Sequence, residues 1–326
     1  MNAPVKVIAF VLGIAAVFGI ALAVGSLVGP LGPTAEASSS HDDTSDSGAG
    51  AGHSDSGHSN SGHSDSKHSD SGKGESAEGD AAPVGLPGGL MVSDRGYTLS
   101  LQDPVARPGE GRPIAFTIDG PHGPVTAYDV EHEKRLHLIA VRRDFTGFQH
   151  VHPVLAADGT WTTSLDLTPG QWRIFADFKA AGADALTLGT DLFVPGDAEG
   201  PALQPSTRIA TVDGYRVTLS GEPVAGEHST LTLEVERDGR PVTDLEPYLG
   251  AYGHLVALRG GDLAYLHVHP DGEPGDGATK PGPRIVFGAE VPSTGSYHLY
   301  LDFKHDGVVR TAQFKLDAGA ADDHDH

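Results

Sequence analysis

Residues 86–196 and 208–318 of this 326-residue chain repeat one another segment by segment, which limits the fold to two copies of one domain. GYTLSLQDPVARPGE at 96–110 matches GYRVTLSGEPVAGEH at 214–228. GPVTAYDVEHEKRLHLIAV at 123–141 matches RPVTDLEPYLGAYGHLVAL at 240–258, and GQWRIFADFK at 170–179 matches GSYHLYLDFK at 295–304. Order and spacing hold apart from an insertion around DGEPGDGATKPG in the second copy, and PGDAEGPALQPST joins the two.

Each copy is written in short alternating apolar segments divided by Gly, Pro and Asp, such as RVTLS, TLTLEVE, HLVAL and YHLYLDF. This is the period of half-buried strands, and outside the N-terminal apolar run no segment sustains a helical period. About seven strands in about 100 residues is the size of an immunoglobulin-like sandwich. The expected fold is therefore all-β: two tandem immunoglobulin-like β-sandwich domains after an N-terminal transmembrane helix and a disordered His-rich linker.

The N-terminus reads as an address. Residues 7–29 carry no charge over 23 positions, enough to span a bilayer as a helix. Lys6 precedes the run, so the positive-inside bias places the rest outside the cytoplasm. Residues 1–34 are thus an anchor or a signal segment. The apolar run exceeds the core of about 7–15 residues usual in a signal peptide, which favours an anchor to the cell membrane. AEA at 35–37 offers the alternative, secretion after cleavage near Ala37.

Residues 35–85 are rich in His, Ser, Gly and Asp, with too little apolar surface to offset the entropy of ordering. Within them His53, His58, His63 and His68 recur every five residues, with His41 upstream. Tethered imidazoles of this kind can share a metal loosely, at about millimolar effective concentration. The bland alternative is a solvating stalk. The acidic tail, 319–326, repeats the pattern on a smaller scale with His324 and His326.

Composition removes several chemistries. There is no Cys, hence no disulfide, thiolate nucleophile or Cys metal site, and Met1 and Met91 are the only methionines, too few for a soft Cu(I) site. A formal net charge of -22 argues against nucleic acid, because phosphate contacts need clustered Lys and Arg. A bound metal would find imidazole and carboxylate, which suits Cu(II), Zn(II) or Ni(II), with Cu(II) or Zn(II) the expected cofactor.

The duplicated histidines carry that expectation. HLIAVRRDFTGFQHVHP at 137–153 and HLVALRGGDLAYLHVHP at 254–270 place His137, His150 and His152, and again His254, His267 and His269, at identical separations. A tight turn at Gly260-Gly261 would set His254 directly across a hairpin from His267, with His269 on the same face. The first copy is read by analogy. Opposed positions lie about 4.5–5.5 Å apart at Cβ, close enough for three imidazoles to meet one ion. Two sites follow, one per copy. Asp177 and Asp302 occupy matching places in FADFK and YLDFK. Each is a fourth ligand, a partner that fixes a His tautomer, or an ordinary surface charge. On residues 297–303, Tyr297, Leu299, Leu301 and Phe303 share one face, while His298, Tyr300 and Asp302 share the other. His122, His132, His228, His298 and His305 have no counterpart in the other copy and read as surface residues.

The His-x-His strand with a third His on its neighbour is similar in ligand layout to the zinc site of carbonic anhydrase. The HLIAV…FQHVHP and GHLVAL…YLHVHP stretches resemble uncharacterised bacterial extracytoplasmic proteins with repeated His-x-His-Pro β-domains. More loosely, they resemble the immunoglobulin-like domains of periplasmic copper-handling proteins, without their Met clusters or mature N-terminal His ligand. The resemblance spans about residues 96–316 and implies a β-fold and metal handling.

Three functions remain in play. The first is a membrane-tethered extracytoplasmic metal-binding protein that captures, buffers or delivers metal, its tract feeding the ordered sites or a partner transporter. Ligating His must be neutral, so binding is expected to fail below about pH 6. The second is a non-metal extracellular interaction module, with histidines as core hydrogen-bonders. The third is a zinc-dependent hydrolase or hydratase, for which the sequence offers no clear acid or base beside the histidines.

Overall fold

The computed structural model describes residues 86–198 and 206–320, His267 excepted. The apolar run 7–29, the histidine tract and the C-terminal His324 and His326 lie outside the described residues, within which no helix is long and apolar enough to cross a membrane.

Every regular element described is a strand. The first repeat runs β1 (Ser93–Asp94), β2 (Tyr97–Leu101), β3 (Gly109–Gly120), β4 (Gly123–Pro124), β5 (Leu136–Arg142), β6 (Gln149–Val151), β7 (Val154–Leu155), β8 (Trp161–Leu167), β9 (Gly170–Phe178) and β10 (Leu186–Val194). The second runs β11 (Ile209–Val212), β12 (Tyr215–Ser220), β13 (His228–Arg237), β14 (Arg240–Pro241), β15 (His254–Arg259), β16 (Tyr265–Leu266), β17 (Val268–Pro270), β18 (Arg284–Glu290), β19 (Gly295–His305) and β20 (Val308–Ala318). In the first repeat one sheet is ordered β1-β2-β3-β8-β7 and the other β10-β9-β5-β6; in the second the orders are β11-β12-β13-β18-β17 and β16-β15-β19-β20. All pairings between these strands are antiparallel. The described residues are all-β, with two sheet pairs that resemble tandem immunoglobulin-like or fibronectin-type sandwiches.

Alternation builds each core. In β13 the residues Leu231, Leu233 and Val235 turn inward while Thr230, Thr232 and Glu234 do not. The first repeat closes its core on Phe116, Trp161, Trp172 and Phe178. Two strands break the alternation. In β5 every residue from Leu136 to Val141 is buried, and in β15 so is every residue from Leu255 to Leu258. Leu138 and Ala140 belong to the first core and Leu255 and Ala257 to the second. Ile139, Val141, Val256 and Leu258 belong to a third cluster with Phe175, Leu263, Tyr265 and Tyr300. Matching sheets of the two repeats therefore pack face on face, and the seam between them is itself a hydrophobic core.

Aromatic rings fasten this seam. Phe148 stacks on Tyr300 at 3.9 Å and Phe145 on His298 at 3.7 Å. The Tyr300 hydroxyl donates to the Phe145 carbonyl at 2.8 Å. His298, expected at the surface, is 8% exposed for this reason.

A strap of chain at Gly88–Met91 crosses the same seam. Tyr265 N donates to Gly88 O in the second repeat, while Gly89 N donates to Thr187 O and Gly189 N to Met91 O in the first. The Arg173 guanidinium donates to the carbonyls of Gly89 and Leu90. Glycine is required at 189, where a Cβ would stand 2.0 Å from Gly89 O.

Candidate metal centre

A histidine stands at the start of β15, His254, and one residue into β5, His137. In β5 the side chains of His137, Ile139 and Val141 share a face, so the alternation that sends Ile139 into the seam sends His137 there too. β6 pairs with β5 through Leu138–Val151, Ile139–His150 and Ala140–Gln149. Continuing that register one residue places His152 opposite His137. β16 pairs with β15 in the equivalent register, Ala257–Leu266 and Leu258–Tyr265.

The expected pairing of His254 with His267, and of His137 with His150, is thus displaced by two residues. Arg259 N donates to Ala264 O, so the loop is Gly260–Leu263 rather than the Gly-Gly pair. Asp262 holds it by accepting from Ala264 N and Arg259. A shift of two preserves the faces, which is why the triad still converges in the first repeat.

His137, His150 and His152 each present a ligand atom within 4.8 Å of the others. Their ring centroids are 5.2, 5.0 and 4.9 Å apart pairwise. The outer nitrogens are fixed by acceptors. His137 Nε2 lies 3.1 Å from Glu131 O, and His150 Nδ1 lies 2.8 Å from Asp302 Oδ2. Both acceptors call for a proton on the nitrogen they face, which leaves His137 Nδ1 and His150 Nε2 as the inward-facing nitrogens. Those two atoms point at one another at 3.0 Å. His152 Nε2 is buried with no hydrogen-bond partner. Three imidazole nitrogens thus lie within 4.8 Å of one another, close enough for one cation to bind all three.

The second repeat supplies the rest of the site. Asp302, opposite His254 in the β15–β19 register, accepts from Thr311 at 2.6 Å as well as from His150. The side chains of His150 and Asp302 are 1% and 3% exposed. Asp302 is therefore a tautomer-fixing partner from the other repeat. Asp177 is its counterpart, opposite His137 and bonded to the Thr187 hydroxyl at 2.9 Å. Burial pushes its carboxyl up to about 6.

Among the described residues the first triad converges, while His254 and His269 of the second are drawn apart. His254 lies 4.9 Å from His150 and 5.5 Å from His137, ring to ring, instead of joining His269. His269 is exposed and pairs with Gly288 on β18, because the chain crosses to the other sheet at Val268, earlier than in the first repeat. His267 lies outside the described residues. His132, expected at the surface, has its ring 6.1 Å from His137 and 5.7 Å from His254, placed by a turn with positive φ at 132 and 133. No counterpart in the other copy marked it. His305 is likewise buried, between the Tyr215 hydroxyl at 2.7 Å and Asp244 at 3.0 Å.

Burial, then the neighbouring His150, pushes His137 down to about 3 and His152 to about 4. Burial also holds His254 well below the ordinary value of 6.5. These rings stay neutral where their unfolded counterparts take up protons. Metal-free protein should therefore lose stability as pH falls from 6.5 toward 4, with the raised Asp177 offsetting part of the loss below 6. Thermal midpoints across that range in chelator check the sign. Depressed ring pKa values also weaken proton competition, so metal should stay bound below the pH 6 limit expected from ordinary histidines.

The chain belongs to the family described as domain of unknown function (DUF8832), whose model matches twice, over residues 91–189 and 210–320. A comparison with curated proteins gives no match. Among solved structures it is similar to the Escherichia coli adhesin FdeC at 14% identity and a TM-score of 0.21, over 73% of this chain and 66% of that one. It is similar to the Yersinia pseudotuberculosis adhesin InvE at 11% and 0.20, over 68% and 58%. The bacterial integrin-binding protein invasin follows at 13% and 0.21, over 68% and 39%. Likenesses at these scores carry nothing about function.

Proposed function

We propose that this chain is an extracytoplasmic metal-binding protein, tethered at the membrane by its N-terminal segment, that holds one Zn(II) or Cu(II) ion at the seam between its repeats. The observation that supports it is the set of facing nitrogens. Glu131 O and Asp302 take the protons of His137 and His150 on their far sides, and His152 Nε2 has no partner. Outer acceptors of this kind are how proteins orient metal-ligating imidazoles. The tract of His53, His58, His63 and His68 would gather metal near the ordered site, and a transporter would be its natural exchange partner. Calorimetric titration of residues 86–320 with Zn(II) at pH 7 should give one ion per chain. A stoichiometry of two would restore a site in each repeat, and no binding would sink the reading.

A second reading is an extracellular interaction module. It draws on the buried His298 and His305, which are purely architectural. Wild-type stability without metal, together with a partner retained by the metal-blind variant described below, would favour it.

A further inference from the structure

We propose that His254, from the second repeat, is the fourth ligand of the ion held by His137, His150 and His152, so that the bound ion cross-links the two sandwiches. This rests on the metal reading above and goes beyond it by closing the coordination shell. Two imidazoles on one tetrahedral ion, with metal–nitrogen bonds of about 2.0–2.1 Å, have ring centroids about 5.2 Å apart. The triad members stand 4.9 to 5.2 Å from one another. His254 stands 4.9 Å from His150 and 5.5 Å from His137, ring to ring, beside the group of three whose nitrogens already converge, so to join them it would turn its ring toward the ion. His132, at 5.7 and 6.1 Å from its nearest rings, is farther out.

The carboxylates nearby already have partners. Asp302 accepts from His150 and Thr311 through its two oxygens, and Asp177 accepts from Thr187. Four imidazole ligands closing around one ion would suit the tetrahedral preference of Zn(II) better than the tetragonal preference of Cu(II). A shell filled by four protein ligands leaves no open position for water or substrate, the arrangement of a structural or storage site rather than a hydrolytic one.

The test uses the full chain and Co(II), whose intense visible bands report tetrahedral coordination and are weak for the solvated ions held by a flexible tract. Wild type should show one tetrahedral Co(II) per chain, displaced by one Zn(II), with a metal-dependent rise in thermal midpoint. His254→Ala should shift the tetrahedral bands, as solvent takes the vacated position, and lose at least tenfold in affinity and the thermal rise, while His132→Ala keeps the wild-type spectrum, affinity and rise. His254→Asn, with the circular dichroism of both metal-free variants, separates ligand loss from misfolding. A His254→Ala spectrum and affinity equal to wild type would overturn the cross-link and leave the three-His site standing. Wild type without tetrahedral bands would take down the metal reading together with the cross-link.

Discussion

His152→Ala should lower the affinity for the first metal ion by about a hundredfold or more, while costing the metal-free fold little. Outer partners of metal ligands are themselves worth roughly 10- to 100-fold, and a direct ligand should exceed them. The fold, in contrast, gains nothing polar from His152, whose Nε2 is buried without a partner. Removing an unsatisfied buried group relieves a penalty of about 1–3 kcal/mol, which offsets the packing lost with the ring. His150→Ala should behave differently. It strips Asp302 of one of its two donors in a space where that carboxylate is 3% exposed. Breaking such a buried pair costs about 3 kcal/mol or more. Isothermal titration beside urea unfolding of the two variants in chelator separates the roles: affinity without stability for His152, both for His150. Equal stability losses in the two would make His152 architecture. The double variant His150→Ala with His152→Ala serves as the metal-blind control.

Tyr300→Ala should destabilise the chain by about 4 kcal/mol and turn one unfolding transition into two. Truncating a buried aromatic costs about 3–5 kcal/mol from lost transfer energy and the cavity left behind. Tyr300 is 1% exposed, stacks on Phe148 and donates to the Phe145 carbonyl, so its loss falls on the seam rather than on either sandwich core. The separate cores on Trp172 and on Phe303 would remain intact. Differential scanning calorimetry reads the outcome directly. A single shifted transition would mean that the repeats stay coupled without the seam.

The strand content and the duplication were legible because alternation and repeated spacing are local properties. Even the face assignment on β19, with Tyr300 and Asp302 opposite Leu299 and Leu301, follows from period two alone. The seam was not read, although Leu138–Val141 and Leu255–Leu258 advertise it: an unbroken apolar run in a sandwich strand has both faces covered. Taken as ordinary strands, those runs kept the two triads apart. The turn at Gly260–Leu263 hid a second fact, since its length follows from Asp262 capping Ala264 N rather than from the glycines. Because the slip was by two residues, the histidines kept their face and the first triad survived the error. His132 could not be found by comparing the copies, since Leu249 stands in its place in the second.

The strap at Gly88–Met91 has a mechanical meaning. It is where the chain leading from the histidine tract enters the sandwiches, and it bonds to Tyr265 on one side of the seam and to Thr187 and Gly189 on the other. Tension on residue 86 would load those backbone hydrogen bonds before it reached either core. Tyr265 and Phe175 line the same seam that holds the histidines, so force applied at residue 86 would arrive first at the joint an ion would lock.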